Sequence, residues 1–358
     1  MSGTSVDAID SVLVHCTCAA PQLQTRHSTP IPAPLKQSLL ACNTQKNLDL
    51  LTLAKLHAEM GKLFAQAVQE LLECTDLKPS EIRAIGSHGQ TIFHTPESGM
   101  SLQIGHPAII AKLTGITTAG DFRIDDMALG GQGAPFAPVF HQALFAQQNQ
   151  YTAVVNIGGL ANLSLIPPQN SDAPILGWDT GPGNGLLDEI AQQRLNQSFD
   201  DNGSVAAQGK IHSALLKRLL ADPYFARPAP KSSGRDYFNL AWLTAAEPPS
   251  LKTADLLATL TELTAQSIAQ SLLNNPIQPQ QLWVCGGGAY NDFLRQRLAH
   301  HLPKIQVAST AQAGHDPQAL EAMLFAWLAQ QRLTQQPVKL RSVTGAHRDA
   351  ILGGVWLP

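Results

Sequence analysis

An α/β fold in two domains is predicted by three features of the sequence. Runs of β-branched and apolar residues alternate with amphipathic stretches from one end to the other, the pattern of strands interleaved with helices. The 358 residues, 44% of them apolar, exceed what one hydrophobic core usually organises. Glycines cluster behind predicted strands at four places, around Gly3, Gly131, Gly158 and Gly286. Successive N–H groups in such turns can cradle phosphate oxygens, so loops converging on one polyanionic ligand is a reading to set beside chance clustering among 27 glycines.

The elements follow in order. Residues 9–16 are rich in β-branched residues and read as an early strand, with Cys16 and Cys18 alternating along it as sheet residues. Residues 30–34 are proline-rich and mark a loop. Between Asp49 and Cys74, Leu53, Leu56, Met60, Phe64 and Leu71 recur near helical spacing, which predicts a long amphipathic helix. Residues 82–86 form a short buried strand ending in Ser87-His88-Gly89-Gln90. Residues 120–138 pack Asp121, Arg123, Asp125 and Asp126 beside Gly130-Gly131-Gln132-Gly133 and read as a loop that carries chemistry.

Residues 151–156 are a second strong strand, broken by Gly158-Gly159, and residues 160–166 continue as its partner. Trp178-Asp179-Thr180-Gly181-Pro182-Gly183-Asn184 leads into a helix over 185–194. Residues 222–242, with Lys231, Arg235 and Asp236, form a long irregular excursion that could reach a ligand or merely decorate the surface. A second long helix spans 255–273, and a strand over 282–285 feeds Gly286-Gly287-Gly288. A helix over 292–300, a strand over 304–308 and a helix over 317–331 follow, and the tail over 343–358 is expected to return to the first domain.

Composition excludes several classes. Lys+Arg 24 against Asp+Glu 27 leave a net charge of −3, without the basic footprint of a nonspecific nucleic-acid binder. Only 14% of residues are charged, so Gln, Asn, Ser and Thr must serve much of the surface. No stretch reaches the roughly 18 continuous apolar residues of a membrane span. The five cysteines form no CxxC pair and no disulfide framework, and the polar opening Met1-Ser2-Gly3-Thr4-Ser5 is no secretory signal. A reducing, cytoplasmic setting is the expectation.

Several motifs are discounted. The nearest approach to a Walker A loop, Gly203 to Gly209-Lys210, has one residue too many and Ile211 where a hydroxyl should meet magnesium. Gly181-Pro182-Gly183-Asn184-Gly185 lacks the later glycine of a dinucleotide fingerprint. No HExxH or GxSxG occurs. His88, His94 and His106 are irregularly spaced with no cysteine near them, and read as satisfied polar residues rather than zinc ligands.

Three turns are more specific. Met1-Ser2-Gly3-Thr4-Ser5-Val6-Asp7 is a Gly-Thr-Ser turn followed by an acid. Small hydroxyls there admit phosphate, and Asp7 could hold magnesium through water. Asn156-Ile157-Gly158-Gly159-Leu160-Ala161-Asn162 is a matching hairpin, and Val284-Cys285-Gly286-Gly287-Gly288-Ala289-Tyr290-Asn291 is similar to an adenosine-binding turn. In this order they resemble the phosphate hairpins of actin-like and hexokinase-like ATPases.

The resemblance narrows further. Gly120-Asp121-Phe122-Arg123, then Gly130-Gly131-Gln132-Gly133-Ala134-Pro135, then Asp179-Thr180-Gly181-Pro182-Gly183-Asn184 resemble the anhydro-N-acetylmuramic acid kinase family rather than kinases in general. Residues 1–10, 86–91, 156–162, 286–291, 321–328 and 343–346 carry the same likeness, which therefore runs through almost the whole chain. It implies two actin-like (ribonuclease H-like) domains with a central ATP and substrate cleft. The expected boundaries are 1–130 with 337–358 for the first domain and 131–336 for the second. It implies a reaction of ATP, water and 1,6-anhydro-N-acetylmuramic acid, with Mg2+, that opens the anhydro bridge and phosphorylates O6. Carried over, the general base falls on Asp179. Sugar contacts fall on Arg123, Glu321, Asp121 and Gln132, nucleotide contacts on Gly3, Thr4, Ser5, Gly158, Gly159, Gly286, Gly287 and Gly288, and magnesium on Asp7. A homodimer acting on a small amino sugar, with no nucleic-acid or membrane partner, is also implied.

The chain departs from the family pattern at two points. Members place a few apolar residues ahead of the Met-Ser-Gly-Thr-Ser segment, so a first strand without its leading half is expected. Ala8 stands where the family generally has Gly, which costs something only if the backbone there needs φ > 0.

Each assignment has a plainer alternative. Asp179 could cap a turn, Arg123 could pair with Asp121, Asp125 or Asp126, and Glu321 could cap its helix or face solvent. The glycines at 286–288 could be no more than a tight strand-to-helix turn. At the level of function, three alternatives stand. They are a kinase for another sugar or small acid on the same fold, a catalytically impaired actin-like binding protein, and a nucleotide-independent glycosidase with paired carboxylates.

Overall fold

The computed structural model describes residues 1–3, 6–16, 20–44 and 47–358; Thr4, Ser5 and Cys18 lie outside the described residues. The chain is α/β and divides into two compact units, Met1–Leu144 with Ala319–Pro358, and Phe145–Gln318.

In the first unit, β1 (Ala8–His15) and β2 (Gln22–Pro30) pair antiparallel, with Ala8 opposite Pro30. Two helices follow, α1 (Ala33–Thr44) and α2 (Leu50–Glu73). Asp49 caps α2 by accepting from the Thr52 N–H at 2.9 Å. Leu56, Met60, Phe64 and Ala67 then bury one face of α2 in a core shared with Ile9, Leu39 and Ile104. The chain continues through β3 (Ile85–Ser87), the hairpin β4 (Gln90–Thr95) and β5 (Met100–Ile104), α3 (Pro107–Thr114) and β6 (Thr118–Gly120). Next come α4 (Phe122–Ala128) and α5 (Ala137–Phe145).

The second unit is built on one five-stranded sheet. Its strands are β7 (Thr152–Ile157), β8 (Leu160–Ile166), β9 (Leu176–Pro182), β10 (Gln281–Cys285) and β11 (Gln306–Ser309), in the spatial order β11-β10-β7-β8-β9. β7, β8 and β9 run antiparallel through hairpins, whereas β10 is parallel to both β7 and β11. The helices are α6 (Gly185–Leu195), α7 (Ser213–Leu220), α8 (Pro223–Ala226), α9 (Leu240–Ala245), α10 (Thr253–Leu273) and α11 (Asp292–His301). Ala265, Ile268 and Leu272 of α10 pack on Val155, Leu163 and Leu282 of the sheet. Leu256, Leu257, Leu260 and Leu263 bury against Leu186 and Ile190 of α6 and Leu215 and Leu219 of α7. This accounts for an α10 with buried residues along nearly its whole length.

The chain then returns to the first unit through α12 (Leu320–Leu333), α13 (Arg341–Thr344) and β12 (Gly354–Trp356). β12 pairs antiparallel with β6, which is parallel to β3 on its other side.

Several elements differ from the sequence reading. Residues 122–128 are helical rather than loop, because Asp121 takes a left-handed conformation (φ 57°, ψ 44°) and Phe122, Asp126 and Met127 turn inward. Residues 176–182 form a full strand, and β2 and the β4–β5 hairpin are additional. Ser2 bridges antiparallel to Ile9, and the Asp10 N–H donates to the Met1 carbonyl at 2.8 Å. Among the described residues β1 pairs along its length only with β2, and β3 only with β6. Both strands line a cavity of about 600 Å³, together with Met1, Phe64, Ala326 and Leu333. No helix among the described residues is long and apolar enough to cross a membrane.

Candidate active site

In the first unit the short α4 carries the first candidate residues. Its Arg123 is half-buried and donates from Nε and Nη2 to His88 and from Nη1 to the Gly133 carbonyl at 3.0 Å. The neighbouring acids have other partners. Asp126 is fully buried and accepts from the Gly133 N–H and the Thr344 hydroxyl, both at 2.7 Å, and Asp125 accepts from the Gly353 N–H at 2.6 Å. Arg123 is thus anchored on a histidine ring and a carbonyl, not on the adjacent carboxylates.

Glu321, in the first turn of α12, faces the Arg123 charge. Its carboxyl is reached by solvent, yet the protein around it strips enough hydration to push its pKa up, with Arg123 pulling it back and Asp10 adding to the rise. Asp121 is exposed, and its pKa is likewise raised, by lost hydration and then by Asp125. Gln132 is exposed beside them, its N–H donating to the Thr344 carbonyl at 3.0 Å. The structure therefore joins Arg123 and Glu321 electrostatically and leaves Asp121 and Gln132 open to solvent.

Asp7 is exposed and forms an ion pair with Lys36 of α1. Among the described residues no group of three His, Cys, Asp or Glu side chains is placed to hold a metal ion. Magnesium is commonly held by one or two carboxylates plus waters and phosphate oxygens, a mode that Asp7 fits by exchanging its Lys36 contact for the ion. Gly3 precedes the undescribed Thr4 and Ser5, and nothing within 4 Å would meet a Cβ placed on it.

In the second unit three glycine turns come together at one end of the sheet. The Gly158 and Gly159 carbonyls accept from Asn184, Gly183 and Gly185 N–H groups at 2.7 to 3.1 Å, which ties the β7–β8 turn to the β9–α6 turn. Asn184 Nδ2 donates to the Ile157 carbonyl at 3.1 Å. Gly286, at φ 73°, lies so close to Asn156 that a Cβ would meet its Oδ1 at 2.4 Å. Gly288 is crowded by Ile157 in the same way. Gly158 and Gly159 are different: a Cβ there would meet no more than Leu160 O at 3.9 Å and the Arg235 side chain from 3.4 Å, while at Gly287 it would meet Asn184 Nδ2 at 3.2 Å. The backbone at Gly158 and Gly159 leaves room for close approach, which is what a phosphate-bearing ligand requires, whereas Gly287 is crowded by Asn184. The residues thus fit a nucleotide.

Asp179 sits on β9 where the register with β8 shifts, Asn162 facing Asp179 and Ala161 facing Gly181. Such a bulge re-aims a side chain at a sheet edge or active site. Trp178 on one side points into the core, its Nε1 donating to Ser271 at 2.7 Å, and Thr180 on the other is fully buried. Asp179 itself is half-buried. Its pKa is raised by burial and drawn back by the Ser233 N–H, which donates to Oδ2 at 2.9 Å.

The model of the anhydro-N-acetylmuramic acid kinase family matches residues 1–358. The chain belongs to this family. It is 48% identical to the anhydro-N-acetylmuramic acid kinase of Hydrogenovibrio crunogenus over 100% of this chain and 97% of that one. It is 46% identical to the one from Vibrio cholerae, over 100% of this chain and 97% of the relative. The Coxiella burnetii protein of the same name is 45% identical, over 99% and 96%. Among solved structures, (R)-2-hydroxyglutaryl-CoA dehydratase component A from Acidaminococcus fermentans aligns with a TM-score of 0.42 at 12% identity, over 88% of this chain and 97% of that chain. That likeness is too loose to carry an argument.

Four residues at these family sites were not singled out from the sequence as site residues. His88 holds Arg123, Asn184 joins the glycine turns, Ser233 reaches Asp179, and Arg235 lies along Gly159 and Gly185 while pairing with Glu189 at 2.7 Å. The sequence signals were the Ser87-His88-Gly89 step behind a strand and the charged run inside the 222–242 excursion.

Proposed function

We propose that this chain is an ATP-dependent kinase of 1,6-anhydro-N-acetylmuramic acid in peptidoglycan recycling. It opens the anhydro bridge with water and phosphorylates O6, giving N-acetylmuramic acid 6-phosphate and ADP. The observation that carries this reading is the family match along residues 1–358.

The chemistry asks for a base and for positive potential. Water attacks C1 as the C1–O6 bond breaks, and O6 takes the γ-phosphoryl group from ATP, with ADP as the leaving group. The water's proton goes to Asp179, whose carboxylate is accessible, fixed by Ser233 and moderately raised in pKa. The sugar lies against Arg123 and Glu321, with Asp121 and Gln132 at the solvent side. The phosphates lie along the backbone of Gly158 and Gly159, while Gly286, Gly287 and Gly288 shape the turn, and Gly3, Thr4 and Ser5 are the further nucleotide contacts that the family likeness assigns. Asp7 would hold magnesium, which when bound would supply charge that offsets the phosphate oxygens. An actin-like ATPase fold is part of this reading. The order of the second unit's sheet, three antiparallel strands continued by two parallel ones, supports that reading.

The test is the mass of the sugar product after incubation with magnesium, ATP and the anhydro sugar. One phosphoryl group plus one water is the expected gain. A phosphoryl group alone marks an ordinary sugar kinase, and water alone marks a hydrolase.

A further inference from the structure

Residues 227–239, between α8 and α9, wrap around Asp179 by contacts that its role as base does not by itself require. The Asp179 N–H donates to the Lys231 carbonyl at 2.9 Å, and two residues on the Ser233 N–H donates to Asp179 Oδ2 at 2.9 Å. On the other side the Tyr224 hydroxyl donates to the Asp179 carbonyl at 2.9 Å. Lys231 closes the ring. Its Nζ donates to the Tyr224 and Phe225 carbonyls at 3.1 and 3.2 Å, and it stands 4.7 Å from the centroid of the Tyr224 ring. Tyr224 is 1% exposed and packs among Phe225, Tyr237 and Phe238. Asp222, which caps α8, is itself held by the Tyr237 hydroxyl and Trp242 Nε1.

We propose that Lys231 and Tyr224 are positioning residues: they lock the 231–233 backbone against β9 so that the Ser233 N–H fixes the Asp179 carboxylate. A carboxylate on a sheet bulge has rotamer freedom, and one backbone donor selects the orientation while favouring the ionised form. The charged and titratable groups around it are Tyr224, Lys231 and Arg227, with Asn162 opposite on β8 and Ser267 of α10 behind Gly181. Loss of the Ser233 bond leaves burial unopposed, so the Asp179 pKa rises further and the acid limb of the rate profile moves to higher pH. The inference rests on Asp179 being the base.

The experiment compares Lys231→Met, Lys231→Arg, Tyr224→Phe and Asp179→Asn in the full chain, with kcat, both KM values and the pH dependence of kcat/KM. Lys231→Met and Tyr224→Phe are expected to lower kcat by about ten- to a hundredfold, as displaced catalytic groups do, and to raise the acid limb. KM for ATP should hold within about twofold, because that interaction is realised elsewhere. Lys231→Arg, which can still donate to both carbonyls, should restore kcat and the limb. Tyr224→Phe removes only a hydroxyl and keeps the question answerable if Lys231→Met is poorly folded. An inactive Asp179→Asn together with wild-type kcat and acid limb in both positioning variants overturns the clamp alone. A fully active Asp179→Asn overturns the base assignment and the clamp with it.

Discussion

Arg123 donates two hydrogen bonds to a single atom, Nε2 of His88, at 3.2 and 3.0 Å. A guanidinium only donates, so His88 Nε2 must carry the lone pair and the ring proton sits on Nδ1. The ring is 8% exposed and lies 4.5 Å from Phe325, and burial followed by the Arg123 charge pushes its pKa well below the usual histidine range. The pair therefore stays cation plus neutral ring at working pH, with the guanidinium held in one orientation. Replacing His88 by Ala should free Arg123 and raise KM for the anhydro sugar about twentyfold, toward the lower end of the ~1.5–3 kcal/mol of a charge-assisted bond. KM for ATP should be unmoved. A wild-type sugar KM in His88→Ala would remove Arg123 orientation from the account.

Acid should unfold the protein partly through His141 on α5. It is 3% exposed and its pKa is lowered to about 3 by burial. A depressed folded-state pKa means stability present above the unfolded value of about 6.5 and lost as pH falls toward the folded one, at up to about 1.4 kcal/mol per pH unit. Denaturant melts between pH 7 and 4 check this: His141→Gln should flatten the dependence, and an unchanged slope counts against it.

Asp188 on α6 has the opposite sign. Burial raises its pKa to about 7, with Arg235 pulling it down and Glu189 pushing it up. A raised carboxyl pKa favours the folded state at low pH and loses that advantage as pH rises through about 7. Asp188→Asn should therefore gain about 1–2 kcal/mol over wild type at pH 8 and show little gain at pH 4. Thermal melting at the two pH values measures it, and equal effects at both would contradict the ionisation argument.

The cavity lined by β1 and β3 should accept an added strand. Met1 lies on its wall and pairs with Asp10, so a segment joined ahead of Met1 would run antiparallel along β1. A fusion of about six β-branched apolar residues should raise the melting temperature by roughly 2–4 °C or more, whereas a Pro- and Lys-containing segment of the same length should not. Equal melting temperatures for the two fusions would mean that the cavity does not take a strand.

What was legible in the sequence were features with local causes. Helix α2 announced itself through the spacing of Leu56, Met60 and Phe64, and the Gly158-Gly159 hairpin and Gly286 turn through glycines directly behind apolar strands. Strand β9 was hidden because Asp179-Thr180-Gly181 resembles turn chemistry, while a bulge and Gly181 at φ 142° keep it extended. Helix α4 depended on a left-handed Asp121, which no propensity favours strongly. The partners of the site residues were beyond reach for another reason. His88 is 35 positions from Arg123, and Ser233 is 54 from Asp179, so only tertiary packing brings them together.

The central claim is that the Asp179 carboxylate removes the proton from the water that opens the bridge. The most direct measurement is the rate at which Asp179→Asn, shown to be folded and to bind ATP, converts the anhydro sugar to the phosphorylated, hydrated product. A loss of about 10²–10⁴-fold in kcat with near-normal ATP binding is predicted, the contribution of a positioned general base. Product formed at the wild-type rate by Asp179→Asn would contradict it.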